Sequence, residues 1–276
     1  MRTILAILAI GLLTTACAGP GSGGTTRHYA VETGPNTLIM RLYEGGGMVP
    51  ESFRLTNTPT FALYGDGRLI LLAPDEPRSS YSPPLMPNLR ELRVTPAEIQ
   101  KILCAADEAG LLGADASFDQ AEVTDMGTSV FTTTVDGTTH KVSAYALYPQ
   151  FTAGDPAADL ARARLIAFRY EIANLSAFLG RTVSDPPYLP ASMRVFVGPA
   201  EYAQGRAVAW PLALNPVTVD LPSTNPRFGC ISLSGSAVAA FIAAARTATK
   251  ETLWTAFGHT YSILVRPLFP EESGCA

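Results

Sequence analysis

The chain is poor in the side chains that most often do chemistry. Of its 276 residues only three are histidine, His28, His140 and His259, and only three are lysine, Lys101, Lys141 and Lys250. The histidines fall on three separate segments, which argues against a histidine-built metal site. No HExxH, CxxC, GxSxG or Walker-type phosphate loop occurs, and no Ser-x-x-Lys with its partner motifs. Zincin, dithiol, α/β-hydrolase and P-loop chemistry are therefore not announced, and no cofactor is expected. Charge is also scarce, 16% of residues with a net of −4, so there is no basic stripe for a nucleic acid. Partners must be met through shape.

What is present begins with a leader. Arg2 precedes an apolar run, residues 4–13, long enough for a signal-peptide core and too short to span a bilayer. The run closes on "LTTAC", with small Ala16 before Cys17. This is the arrangement of a bacterial lipobox, in which Cys17 becomes the lipid-modified first residue. Thr14 departs from the usual aliphatic residue there, and Ala16-Cys17-Ala18 also fits ordinary signal cleavage, so a secreted soluble form stays open. The Gly- and Ser-rich stretch that follows, within residues 17–36, is expected to act as a flexible tether about 20–25 Å long. His28 reads as a solvated residue of that tether.

Three further cysteines remain, Cys104, Cys230 and Cys275. An exported chain makes a disulfide the natural expectation. Cys230 and Cys275 sit in loop-like sequence able to adjust to bridge geometry, whereas Cys104 is mid-helix. A Cys230–Cys275 bridge is predicted, with Cys104 left as a half-buried apolar residue.

The folded part reads as α+β. Residues 37–43 alternate like a half-buried strand. Asp66-Gly67 marks a two-residue hairpin that sets Leu63 opposite Ile70 and Phe61 opposite Leu72. Thr95, Pro96 and Glu98 open a helix with a capping box, whose stripe is Ile99, Ile102, Leu103 and Ala106. A second hairpin turns at Asp136-Gly137 and pairs Phe131 with Val142 and Thr133 with His140. A longer helix starts at Asp155-Pro156 and runs to Leu179 with Gly180 as its stop. Its seam is Leu165, Phe168, Ile172, Leu175 and Leu179. A last hairpin is expected to turn at Gly258-His259, with Trp254 opposite Ile263.

The helix-plus-hairpin pattern recurs. Adding 139 to the stripe of the first helix gives Val238, Phe241, Ile242 and Ala245. The expectation is two pseudo-repeated antiparallel sheet-plus-helix units: a leader at 1–16, the tether at 17–36, a first unit at 37–182 and a second at 183–276.

Two Pro-rich loops draw the eye, residues 74–88 and 184–190. Tyr81 in the first and Tyr188 in the second are candidates to stack on a ligand or partner. Asp66, Asp125 and His140 are the groups a scattered acid-base site would use, although Asp125 fits a turn and His140 a hydrogen-bonded structural histidine.

Three stretches, "TFALYGDGRLI", "VTDMGTSV" and "RPLFPEESGC", together resemble a family of secreted actinobacterial lipoproteins to which no activity is attached. The resemblance implies an extracytoplasmic protein whose terminal cysteine belongs to the fold, and it implies no site residues.

Three functions follow as expectations. The first is a non-enzymatic envelope lipoprotein, held on the outer face of the membrane by Cys17, that binds a protein or wall component through its Pro/Tyr loops. The second is an envelope hydrolase or transferase, which requires Asp66, Asp125 or His140 to converge in a pocket. The third is a structural spacer, which predicts no sizeable pocket.

Overall fold

Two sheets share out the strands of this α+β protein, each with helices on one face. The computed structural model describes residues 27–74, 83–119, 123–200, 205–216 and 228–275. Cys17 and Tyr81 lie outside them.

The first sheet contains β1 (Leu38–Gly45), β2 (Phe61–Tyr64), β3 (Arg68–Leu72), β4 (Leu89–Arg93), β5 (Ala116–Phe118), β6 (Thr128–Val135) and β7 (Thr138–Tyr145), in the order β4-β3-β2-β1-β6-β7-β5. Only β5 and β7 run parallel. A short helix, α1 (Glu51–Thr56), follows β1, and α2 (Pro96–Glu108), α3 (Pro156–Ala173) and α4 (Leu175–Leu179) complete the unit. The second sheet has the order β10-β8-β12-β11-β9, built from β8 (Ser192–Pro199), β9 (Ala207–Ala209), β10 (Gly229–Ser234), β11 (Leu253–Ala256) and β12 (His259–Pro267). Helix α5 (Ser236–Ala245) lies between β10 and β11.

Helix α2 forms as its sequence dictates. The backbone N–H of Glu98 donates to Thr95 Oγ1 at 3.3 Å, and the Thr95 N–H donates to Glu98 Oε2 at 2.7 Å. Ile99, Ile102, Leu103 and Ala106 are all buried. They join Leu165, Phe168, Ile172 and Leu175 in the main core, over Phe61, Leu63, Phe131 and Val142 of the sheet. A second core gathers around Trp210, Phe241 and Trp254, with Phe241 stacked on Trp254 at 5.5 Å between centroids.

The Asp136-Gly137 hairpin has the expected register, Phe131 opposite Val142 and Thr133 opposite His140. Both turn residues have positive φ, 52° and 73°, as a type I′ turn demands. The other two hairpins differ. Phe61 faces Leu71 and Leu63 faces Leu69, because the loop takes three residues, Gly65, Asp66 and Gly67, with Gly67 at φ +82°. A Cβ at Gly67 would lie 2.4 Å from the Val94 carbonyl oxygen, so only glycine fits. This one-residue slip exchanges the two faces of β3. Phe61, Leu63 and Leu69 enter the helix-side core, while Ala62, Tyr64 and Ile70 are buried on the opposite side. The last hairpin turns at Phe257-Gly258, both at positive φ, and sets Trp254 opposite Tyr261. The two-residue shift leaves each side chain on its expected face.

The duplication is not reproduced by the topology. The first strand of the hairpin, β6, lies inward against β1 in the first sheet, whereas in the second sheet the later strand, β12, lies inward against β8. The sheets also differ in strand number. The similar helix stripes reflect the common need to cover a sheet.

Three other expectations change. The described part of the predicted tether is packed: Tyr29 is fully buried, its backbone is clamped by the Gln100 side chain, and its hydroxyl donates to Asp107 at 2.6 Å. The long helix breaks at Asn174 into α3 and α4, and Gly180 ends the second piece in the left-handed region at φ +74°. Residues 186–188 pair with β4, since the Glu91 N–H donates to the Pro186 carbonyl and the Tyr188 N–H to that of Leu89, both at 2.9 Å. This strap covers an edge that would otherwise offer free backbone groups.

The Cys230–Cys275 bridge is present, with Cα atoms 5.9 Å apart. Cys104 packs half-buried on the main core.

The two units interlock. Leu85, from the chain before β4, is buried in the second core, its N–H donating to the Ala248 carbonyl at 3.0 Å. In return Tyr188 and Phe269 pack against Tyr64, Ile70 and Leu89 on the back of the first sheet.

Candidate functional site

A groove of about 980 Å³ lies between the first sheet and α3–α4. Its floor is Leu42 of β1, Phe61 of β2, Leu71 of β3 and Leu92 of β4, four consecutive strands each contributing one apolar side chain to the helix-side face. Ile172, Ala173, Leu175 and Ala177 form the wall. The break at Asn174 places α3 and α4 together along this wall, so the unexpected interruption helps to shape the site. Val183 and Asp185, from the start of the strap, complete the lining.

Two arginines stand in this apolar lining, Arg90 and Arg169. Arg169 Nη1 donates to Glu44 Oε1 at 2.9 Å, and its guanidinium lies over the Tyr148 ring, 5.5 Å from the centroid. Glu44 also accepts from Ser129 at 3.1 Å and from Thr60 at 3.1 Å, which fixes the carboxylate and through it the arginine. Arg90 Nε donates to Asn88 Oδ1 at 3.0 Å. Each arginine thus spends one of its five N–H donors on the protein. The only acidic lining residue is Asp185, which is exposed.

Smaller hollows adjoin the groove. One of about 510 Å³ shares Arg90 and is lined by Tyr188, Leu189 and Arg246, and another of about 270 Å³ shares Leu72 and Ala73. The extended segment 83–90 runs between them.

The residues singled out by sequence are dispersed. Tyr188 is 9% exposed, its hydroxyl donates to the Leu268 carbonyl at 2.8 Å, and its ring packs 5.9 Å from that of Phe269. Burial holds its phenol well above the usual range. It is a structural anchor with one edge on the 510 Å³ hollow, and not the exposed stacking platform expected of a Pro-rich loop. The flanks of the Tyr81 loop, Pro74 and Pro83, line the large groove and the 270 Å³ hollow respectively.

Asp66 is at the β2–β3 turn, paired with Arg68 at 2.9 Å and Arg93 at 3.4 Å. His140 is on β7, with β1 and β6 between it and β2, and its Nδ1 is 2.5 Å from the Gly113 carbonyl oxygen. Asp125, in a turn at φ 63°, precedes the end of β6 remote from Thr133, the partner of His140. The three do not converge. No histidine or cysteine lines the groove, and no group of three or more His, Cys, Asp or Glu able to hold a metal occurs among the described residues.

No family model, curated protein or solved structure matches the chain.

The floor and wall were not foreseen because they come from residues scattered between 42 and 185, a convergence that only the strand order creates. Arg169 carried a faint signal: an arginine one residue after Phe168 of the apolar seam.

Proposed function

We propose that this protein is an envelope lipoprotein, anchored through a diacylated Cys17, that acts by binding an apolar ligand and not by catalysis. The observation that carries the reading is the 980 Å³ groove, at the upper end of the range of small-molecule sites, about 300–1,000 Å³. Its lining is predominantly apolar with a few polar groups, Arg90 and Arg169 among them, the composition of a binding site. The leader sequence and the Cys230–Cys275 bridge support an oxidising, extracytoplasmic location. No helix among the described residues is long and apolar enough to cross a membrane.

Two other readings are disfavoured by specific observations. A hydrolase built on Asp66, Asp125 and His140 needs a convergence that their elements do not provide. A pure spacer has no use for a groove of this size. The Pro/Tyr loops remain relevant as neighbours of the hollows, with a wall or protein partner meeting the protein there.

The test is native mass spectrometry of protein released from membranes with mild detergent. The expected spectrum shows the diacylglyceryl mass on Cys17 and a non-covalent adduct that disappears in Ala173→Trp/Ala177→Trp. A soluble chain starting after ordinary signal cleavage removes the anchor. An adduct that survives the double substitution, or none in the unaltered protein, removes the groove as the binding site.

A further inference from the structure

Resting on the reading of the groove as the binding site, we infer that its ligand is a long-chain amphiphile with an anionic head, the tail on the Leu42–Phe61–Leu71–Leu92 floor and the head at one of the two arginines that bound it, Arg90 on β4 or Arg169 beside β1. The four floor residues are all apolar, the polar lining coming from the two arginines and from Thr60, Tyr170, Asn174, Ser176 and Asp185 around them. An unbranched hydrocarbon loses nothing there and gains with every methylene it buries. A sugar or a peptide would strand its polar groups against those side chains.

The head is specified by the arginines. Arg169 is held by Glu44, itself fixed by Ser129 and Thr60, so the guanidinium stays in place without a ligand. Its remaining N–H donors, and those of Arg90, match a carboxylate or phosphate, which accept in pairs. The carboxylate of Glu44 neutralises part of one charge, yet Arg90 has only the neutral amide of Asn88 as a hydrogen-bonding side chain. The exposed carboxylate of Asp185 also lines the groove, so the attraction for an anion is local, at the guanidinium N–H donors that the protein leaves open. Carboxylate and phosphate heads share this chemistry.

The experiment uses the full mature chain and the fluorescent fatty acid cis-parinaric acid as reporter, displaced by dodecanoate, dodecyl phosphate or dodecanol below their micellar concentrations. The expected result is saturable binding of the reporter, lost in Ala173→Trp/Ala177→Trp, whose altered positions are exposed and whose fold is checked by circular dichroism. The two anions should displace it at roughly tenfold lower concentration than dodecanol, the worth of one charge-assisted hydrogen bond. One of Arg90→Gln and Arg169→Gln should erase most of that preference while dodecanol competes as before, which tells which end holds the head; if neither does, the anionic head is refuted. Whichever anion is favoured identifies the head. If dodecanol competes as well as the anions, the anionic head is refuted while the groove stands. If the reporter does not bind, or binds the double variant equally, the groove and this inference fall together.

Discussion

The Tyr64 hydroxyl donates a 2.6 Å hydrogen bond to Glu271 Oε2 across 207 positions of sequence. Tyr64 is completely buried on the back of the first sheet, and burial followed by this bond pushes its phenol far above the ordinary range. Arg41 lies 3.7 Å from the other oxygen of Glu271. Tyr64→Phe preserves the ring and removes only the donor to a charged acceptor, for an expected loss of about 1.5–2 kcal/mol. Urea unfolding should show a lower midpoint at constant slope; an unchanged midpoint would mean that the tail is held without this bond.

The buried Arg162 is the second strong tie. It is 2% exposed, with no carboxylate within salt-bridge distance, and donates to the carbonyls of Tyr145 at 2.9 Å and Ala146 at 2.7 Å. Burial lowers its pKa. These bonds hold Ala146 at φ 48°, a conformation that an alanine seldom adopts. Arg162→Ala should cost roughly 2–4 kcal/mol, since buried carbonyls lose their donors and a cavity opens. A loss below about 1 kcal/mol in thermal or urea unfolding would show that burying the charge had cancelled its bonds.

The Cys230–Cys275 bridge closes a separation of 45 residues. On the chain-entropy account the Cys230→Ser/Cys275→Ser protein should be less stable by roughly 4 kcal/mol. The second-unit signals, such as Trp254 fluorescence, should change at lower denaturant than the first-unit ones. Coincident transitions would show that the interlock through Leu85 and Phe269 keeps the units cooperative.

Glu98 gives a pH signature. Its hydrogen bond from Arg181, opposed by burial and reinforced by the Thr95 N–H, lowers its pKa to about 2 from the usual 4.5. The stabilisation is complete above about pH 4.5 and is lost as the pH falls towards 2. In Glu98→Gln the melting temperature should fall less steeply across that window than in the parent. Parallel curves would mean that the carboxylate is held no more tightly when folded than when unfolded.

Phe257 offers a substitution that should stabilise. It occupies the first position of a type I′ turn at φ 50° and is 59% exposed. Left-handed backbone costs a non-glycine residue about 1–2 kcal/mol, and so exposed a ring returns little burial. Phe257→Asn should raise stability by roughly 0.5–1 kcal/mol; a lower melting temperature would reveal packing at the tip that outweighs the backbone.

Local chemistry made parts of this architecture legible. Thr95, Pro96 and Glu98 announce α2 through a cap that needs only four residues, and Asp136-Gly137 sets its hairpin because both favour positive φ. The same logic slipped at Asp66-Gly67, where Gly65 before the pair allowed a longer loop, and at Phe257, which no propensity places in a left-handed turn. The prolines around Tyr188 mark a candidate stacking loop in the sequence, yet they are equally suited to a strap lying along an edge. The groove needs four strands and two helices in register, information held by the long-range pairing of β1 with β2 and β6 and not by any one segment.

The residues from Leu268 to Cys275 accept from Tyr188 and Tyr64, seat Phe269 on the first sheet and close the disulfide. Among the described residues they are also the last to leave the ribosome. The back of the first sheet, with Tyr64 and Ile70, must therefore wait uncovered while some two hundred later residues are added. Order of synthesis and order of closure are opposed, so premature compaction of the N-terminal unit is incomplete by construction. A chain of this kind keeps that apolar face open until its final residues arrive.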